Sequence, residues 1–138
     1  MKELHLNIVS LNIPFPANYG GVIDIYYKLR TLHRMGVKVY LHCFTYGRNE
    51  QNDLLNYCEE VFYNKRKTGI LSNLSLLPYI IYSRRNKTLL QNLQNNSHPV
   101  LFEGLHTTYY LIKNKLRNRR VMLRFHNIEH DYYRFLAQ

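Results

Sequence analysis

Hydrophobic and polar positions recur along this chain with two periods. Leu4, Leu6 and Ile8 alternate with His5 and Asn7, the period of two that predicts a strand over 4–10. Residues 12–21 then break the pattern with two prolines and two glycines, which predicts a loop. From there Val22, Ile25, Tyr26, Leu29 and Leu32 recur at spacings of three and four, one apolar face of a helix. Gly36 follows directly and predicts a stop at the position just past the helix C-cap.

The same two periods continue to the end. The pattern predicts strands over 37–44, 60–63, 99–102 and 120–125. It predicts helices over 49–58, 87–96, 106–116 and 128–136. Strands that alternate with helices build a parallel sheet, because parallel neighbours need a crossover connection. The expected fold class is therefore α/β, a parallel sheet with helices on both faces. Ligands of such sheets bind outside the carboxyl ends of the strands. That directs attention to residues 12–21, 103–106 and 126–129.

Composition narrows the class further. The chain has 138 residues, 46% of them hydrophobic and 20% charged, enough to build a core and too apolar for disorder. No run of 18 apolar residues occurs, and the first residues lack the charge pattern and cleavage site of a signal peptide. These features point to the cytoplasm. Cys43 and Cys58 are too far apart for a C-x-x-C pair, and Cys43 reads as a buried thiol.

Net charge is +10, and its distribution matters more than its size. Residues 1–64 hold six basic and six acidic groups, and residues 121–138 hold two of each. Residues 65–120 hold eleven Lys and Arg against one acid, Glu103. A local basic excess implies an anionic partner. Lys65, Arg66 and Lys67 precede the apolar stretch 70–82, and Arg84, Arg85 and Lys87 follow it. Cations flanking apolar side chains suit the interface of an anionic membrane. The competing reading is a pair of core helices joined at Pro78.

Gly20 and Gly21 stand between the first strand and the first helix, where backbone amides can approach an anion. Neither a G-x-G-x-x-G fingerprint nor a Walker loop surrounds them. A tight turn would explain them equally well. His126-Asn-Ile-Glu129-His130 matches the H-x-x-E-H pattern of inverted zinc peptidases. That chemistry needs both histidines on one helix, whereas His126 falls at the end of a predicted strand, so no metal site is expected. His42 reads as structural, His106 as a cleft residue beside Glu103, and Tyr132 and Tyr133 as packing.

Ile13-Pro-Phe-Pro, Tyr19-Gly-Gly, Gly36-Val-Lys-Val, Cys43-Phe, Glu103-Gly and Arg124-Phe-His-Asn-Ile-Glu occur in this order. Together they resemble the N-terminal domain of a GT-B glycosyltransferase, closest to family 4, the bacterial enzymes of polysaccharide and lipopolysaccharide assembly. The resemblance implies a Rossmann-like domain that holds the acceptor. A second domain, absent from this chain, would hold most of the nucleotide sugar. Gly20 and Gly21 would lie by the donor phosphates and His126 by the transferred sugar, as the catalytic residue. Glu103, His106, Arg124, Asn127 and Glu129 would line the cleft. The family generally retains anomeric configuration, and no metal or other cofactor is expected.

The expected partners are a nucleotide sugar, a glycan or lipid-linked acceptor and an anionic membrane surface, which would place the protein on the inner face of the cell membrane. Residues 1–138 are expected to be one truncated domain, able to bind but inactive alone. The alternative from another class is a basic nucleic-acid-binding α/β module, with the 13 tyrosines as stacking platforms. No RNA-recognition signature accompanies it. A binding module without transferase ancestry is a third reading.

Overall fold

A computed structural model describes residues 2–125, together with 134 and 137. Five strands form one sheet: β1 (His5–Ser10), β2 (Lys38–Thr45), β3 (Glu60–Lys65), β4 (Val100–Glu103) and β5 (Val121–Arg124). All pairs are parallel, in the order β3-β2-β1-β4-β5. The chain therefore reverses its direction of travel across the sheet between β1 and β4. This is a Rossmann-like α/β sheet, as the alternation of periods predicts.

Alternating side chains of each strand feed two cores. Ile8, Leu41 and Cys43 point to one face, where they pack with Ile25 and Leu29 of helix α1 (Gly20–Arg34) and with Leu54. Val9, Phe44 and Phe102 point to the other face and meet Leu89 and Leu93 of a further helix, Lys87–Gln94. Burying both faces explains why apolar residues fall on both sides of the central strands, as Ile8 and Val9 do in β1 and Cys43 and Phe44 in β2. The helix α1 ends as its sequence predicts. Gly36 has φ 77°, its N–H donates to His33 O, and the Val37 N–H donates to Leu32 O, both at 3.0 Å. These are the two bonds of a Schellman motif.

Three predicted helices are shorter than their patterns. The stretch 49–58 contracts to a 3-10 turn over Asn52–Asn56, held at its start by the Tyr63 hydroxyl, which bonds both the N–H and C=O of Gln51 at 3.2 Å. The stretch 70–82 forms neither a pair of core helices nor one long helix. It gives a 3-10 turn, Ile70–Leu74, and the four-residue helix α2 (Tyr79–Tyr82). Ile81 is buried, whereas Ile70, Leu74 and Leu76 are exposed.

The helix that follows α2, Lys87–Gln94, is α3, and it begins where Asn86 Oδ1 accepts the N–H groups of Thr88 and Leu89, a side-chain N-cap. The stretch 106–116 splits into a 3-10 turn, Leu105–Thr107, and the short helix α4 (Tyr109–Ile112). The hydroxyls of Thr107 and Thr108 donate to Gly104 O and Leu105 O at 2.9 and 2.6 Å, local bonds that compete with a continuous helix. Asn114, at φ 52°, then ends α4 in the left-handed conformation, with Asn114 N–H on Leu111 O and Lys115 N–H on Tyr110 O. No helix among the described residues is long and apolar enough to cross a membrane.

Candidate functional site

In a sheet of this order, the crevice opens at the carboxyl ends of β1 and β4, where the direction of travel reverses. The chain leaving β1 passes through residues 11–19 and enters α1 directly at Gly20. Tyr19 is extended and makes no side-chain cap, and the first turn holds no acid. The first helical bond is Ile23 N–H to Tyr19 O at 3.0 Å. The amides of the first turn are thus the donors that a helix N-terminus leaves without intrahelical partners.

The tight-turn reading of the glycines fails. Both lie inside the helix, neither has positive φ, and a Cβ on Gly20 would meet nothing within 4 Å. A Cβ on Gly21 would touch only Tyr19 and Leu11 side chains, at 3.8 and 4.0 Å. The backbone does not require glycine at either position.

One groove of about 560 Å³ runs from Gly20 along α1 to the end of β5, past Asp24, Lys28 and Arg124. The alternation of β4 turns Glu103 onto this face, and the register places it opposite Arg124. Glu103 is fully buried and forms an ion pair with Lys28. Arg124 forms an ion pair with Asp24 and stands 3.9 Å from Glu103 Oε2. The hydrogen bond that Arg124 donates to Asp24, with the charges of Asp24 and Glu103, pushes the Arg124 guanidinium further above its ordinary range. Asp24 also lies 3.5 Å from Lys28. Two acids and two bases therefore lock together at the strand ends. Of the four, sequence reasoning found Glu103 and Arg124 and missed Asp24 and Lys28, whose signal was an i,i+4 acid–base pair on the predicted helix.

A second groove, of about 510 Å³, opens between the loops after β1 and β2. Its walls carry the amides of Asn12, Asn18 and Gln51 with Tyr19, Tyr46 and Arg48. Arg48 Nη1 donates to Asn18 Oδ1 at 3.0 Å, and Asn12 Nδ2 reaches both the Tyr19 hydroxyl and Tyr46 O at 3.3 Å. Amides that both donate and accept, set beside aromatic rings, are chemistry suited to hydroxyl-rich ligands. The loop 12–21, singled out in the sequence, supplies one wall of this groove, and the loop after β2 that supplies the other was not anticipated.

The other expected site residues divide. His106 sits half-buried in the turn after Gly104, at the carboxyl edge. His126, Asn127 and Glu129 lie outside the described residues, as does the helix expected over 128–136 apart from residue 134. So does the H-x-x-E-H segment. Among the described residues no group of three or more His, Cys, Asp or Glu gathers as metal ligands do.

Of the cations expected at a membrane, Lys65, Lys67 and Lys87 are exposed. Arg66 packs on the Tyr46 ring at 4.5 Å and bonds Ser83 Oγ, and Arg85 packs on Tyr82 at 3.8 Å. Arg84 is a correction. It is buried, with Nη1 on Ile80 O at 2.7 Å and Nη2 on Leu11 O at 3.2 Å. It ties α2 to the loop after β1, because a buried guanidinium must find acceptors inside the fold.

His42 is structural. It is fully buried, its Nε2 lies 3.0 Å from Asn7 Oδ1, and its ring stacks on Phe62 at 4.8 Å. Burial, then the charge of Arg119, push its pKa down to about 3. Cys43 and Cys58 are both free and buried, and burial pushes the Cys58 thiol up to about 12.

The fold and its edge thus define a Rossmann-like α/β domain with an open carboxyl crevice. The chain is similar to an uncharacterised 44.6 kDa protein in the cps region of Klebsiella pneumoniae, with 29% identity over 136 residues. The match covers 94% of this chain and 35% of the relative, so the chain spans about a third of that protein's length. No family model matches the chain, and no solved structure matches it.

Proposed function

We propose that this chain is the acceptor-side domain of a glycosyltransferase that builds a cell-surface polysaccharide. The observation that carries this reading is the pairing of two features at one edge of the sheet. The uncapped, glycine-opened N-terminus of α1 offers amide donors to a phosphate. The amide- and tyrosine-walled groove beside it fits a glycan. The cps-region relative supports the biological setting, since cps denotes capsule polysaccharide.

In this reading the donor is a nucleotide sugar held mainly by a further domain, and its diphosphate meets the Gly20–Val22 amides. The same reading assigns the catalytic role to His126, which lies outside the described residues. Catalysis comes from positioning and from stabilising the departing diphosphate, with retention of configuration and without a metal. The Asp24–Lys28–Glu103–Arg124 cluster keeps the strand ends and α1 in register beneath the crevice. Exposed Ile70, Leu74 and Leu76, flanked in the sequence by the exposed Lys65, Lys67 and Lys87, would rest on an anionic membrane that carries a lipid-linked acceptor.

Titration of the isotope-labelled chain with nucleotide sugars and with lipid-free glycan acceptors tests this. The expected result is a shift of the Gly20, Gly21 and Val22 amide signals with a nucleotide sugar. Signals of Asn12, Asn18 and Gln51 should move with a glycan. If neither set moves at millimolar ligand, the reading is wrong.

A further inference from the structure

We infer, on the acceptor reading above, that the glycan held between the loops after β1 and β2 is acidic and carries its carboxylate on a sugar ring, as a uronic acid does. A smaller groove, of about 360 Å³, adjoins the amide-walled one. Tyr46, Gly47 and Arg48 line both, so the two grooves meet at that turn. The amide-walled groove suits hydroxyls. The smaller one adds cations, Lys65 and Arg66 beside the shared Arg48.

The sheet register brings these residues together. Thr45 ends β2 and Lys65 ends β3, and the two stand opposite each other. The strands therefore finish level, and both loops leave the same carboxyl edge, where ligands of parallel sheets bind. Lys65 and Arg66 are neighbours in the chain, and Arg48 joins them from the other strand. Gly47, between Tyr46 and Arg48, has φ 69°, a left-handed turn that glycine makes without strain.

Both guanidiniums are held in place by neutral groups. Arg66 lies over the Tyr46 ring, 4.5 Å from its centroid. Its Nε and Nη2 both donate to Ser83 Oγ, at 3.3 and 3.0 Å. That uses one edge of the guanidinium. Nη1, on the end-on edge, makes no hydrogen bond among the described residues. Arg48 lies 5.4 Å from the Tyr19 ring centroid. Its Nη1 donates to Asn18 Oδ1 at 3.0 Å, and its Nη2 donates to Pro16 O. Neither arginine forms an ion pair among the described residues.

An end-on guanidinium edge matches the two oxygens of a carboxylate. An arginine already fixed by a ring and a hydroxyl loses little further freedom when it binds one. A neutral sugar would cover the same edge with hydroxyls alone, whereas a carboxylate makes charge-assisted bonds about twice as strong. Leaving a covered cation poorly matched is what discriminates against the neutral sugar. A uronic acid carries hydroxyls and a planar acid on one ring, the pair of functions that the two adjoining grooves call for.

Titration of the isotope-labelled chain with tetrasaccharides containing glucuronate, galacturonate or mannuronate, each beside its carboxyl-reduced counterpart, is the test. Reduction keeps the linkages and hydroxyls and removes the charge. An acidic probe should bind about tenfold more tightly than its reduced form, the worth of one charge-assisted contact. Its binding should move the Gly47 and Arg48 signals together with those of Asn12 and Asn18. Arg66→Gln and Lys65→Gln should each cut that preference to about threefold or less, and leave binding of the reduced form within about twofold. Lys65 is exposed, so its variant keeps the test sound if Arg66→Gln loosens the fold. Lys113→Gln and Arg117→Gln remove the same charge at exposed positions outside both grooves, and should leave the preference intact.

Equal binding of acidic and reduced probes overturns the inference and leaves the acceptor reading standing. A preference that falls equally in the Lys113 and Arg117 variants also overturns it, because the attraction is then diffuse. If Asn12, Asn18 and Gln51 respond to no probe of either kind, the acceptor reading falls and the acidic acceptor falls with it.

Discussion

Lys28, midway along α1, forms an ion pair with Glu103, the last residue of β4, whose side chain is fully buried. The contact joins positions 75 residues apart and fastens the helix to the carboxyl edge it helps to build. A buried carboxylate is tolerated only while cations and hydrogen bonds offset its lost hydration. Lys28→Met removes the nearest cation, while Arg124 stays 3.9 Å away. The expected cost is about 2–3 kcal/mol in urea unfolding, on the low side for a broken buried pair because Arg124 remains. The double variant Lys28→Met/Glu103→Leu should recover most of it. If the double variant is no more stable than the single one, the pair is not what makes Glu103 tolerable.

The glycines at the crevice differ in what they do. Gly104 has φ 87° and ψ 151°, a region open essentially to glycine alone. Gly104→Ala should destabilise the domain by about 1–3 kcal/mol. Gly20→Ala meets open space inside a helix, and should stabilise it by up to about 1 kcal/mol. A variant that folds better yet loses the nucleotide-sugar response would show that Gly20 is kept for a ligand's approach. Equal destabilisation by both substitutions, seen in thermal melts, would contradict this division.

What was legible in the sequence follows from range of interaction. The two periods and Gly36 are local signals, so the strands, α1 and its Schellman stop could be read directly. The helix expected over 106–116 could not, because Gly104, the Thr107 and Thr108 hydroxyls and Asn114 override its apolar spacing by bonds invisible to periodicity. The strand ends singled out Glu103 and Arg124, which the structure brings into one ion-pair cluster. Their partners Asp24 and Lys28 sit on a helix whose polar face looks ordinary until the sheet register brings β4 and β5 against it. Arg84 was misjudged for a similar reason. As one of three neighbouring cations it looked superficial, yet only a tertiary acceptor, Leu11 O, explains its burial.

The same contrast makes the membrane face testable. Lys65, Lys67 and Lys87 are exposed, and Arg84 is buried. Each cation near an anionic bilayer contributes about 1 kcal/mol. Replacing Lys65, Lys67 and Lys87 with Gln should therefore lower vesicle partitioning roughly a hundredfold at low salt. A triple change of Ile70, Leu74 and Leu76 to Ser should also weaken it, and that loss should persist at high salt, where charge is screened. Arg84→Gln acts differently, by loosening the fold. If the wild type does not sediment with anionic vesicles, this face is not a membrane surface.

His42 sets an acid limit on the fold. Its Nε2 faces Asn7 Oδ1, while Nδ1 has no hydrogen-bond partner among the described residues. Protonation would bury a charge near Arg119, which is why the folded pKa falls to about 3. An unfolded histidine titrates near 6.5. Between these values the unfolded chain binds a proton that the folded chain refuses, so stability falls as pH drops from about 6.5 towards about 3. From pH 7 to 4.5 this one residue should remove about 2–3 kcal/mol. His42→Gln has an amide that can still donate to Asn7 but cannot titrate. It should lower stability at pH 7, through imperfect packing on Phe62, and yet show a shallower loss on acidification. Urea midpoints of both proteins at pH 7 and 4.5 measure the difference. Carboxylates contribute the same slope to both, so parallel lines would mean that His42 is not the group responsible.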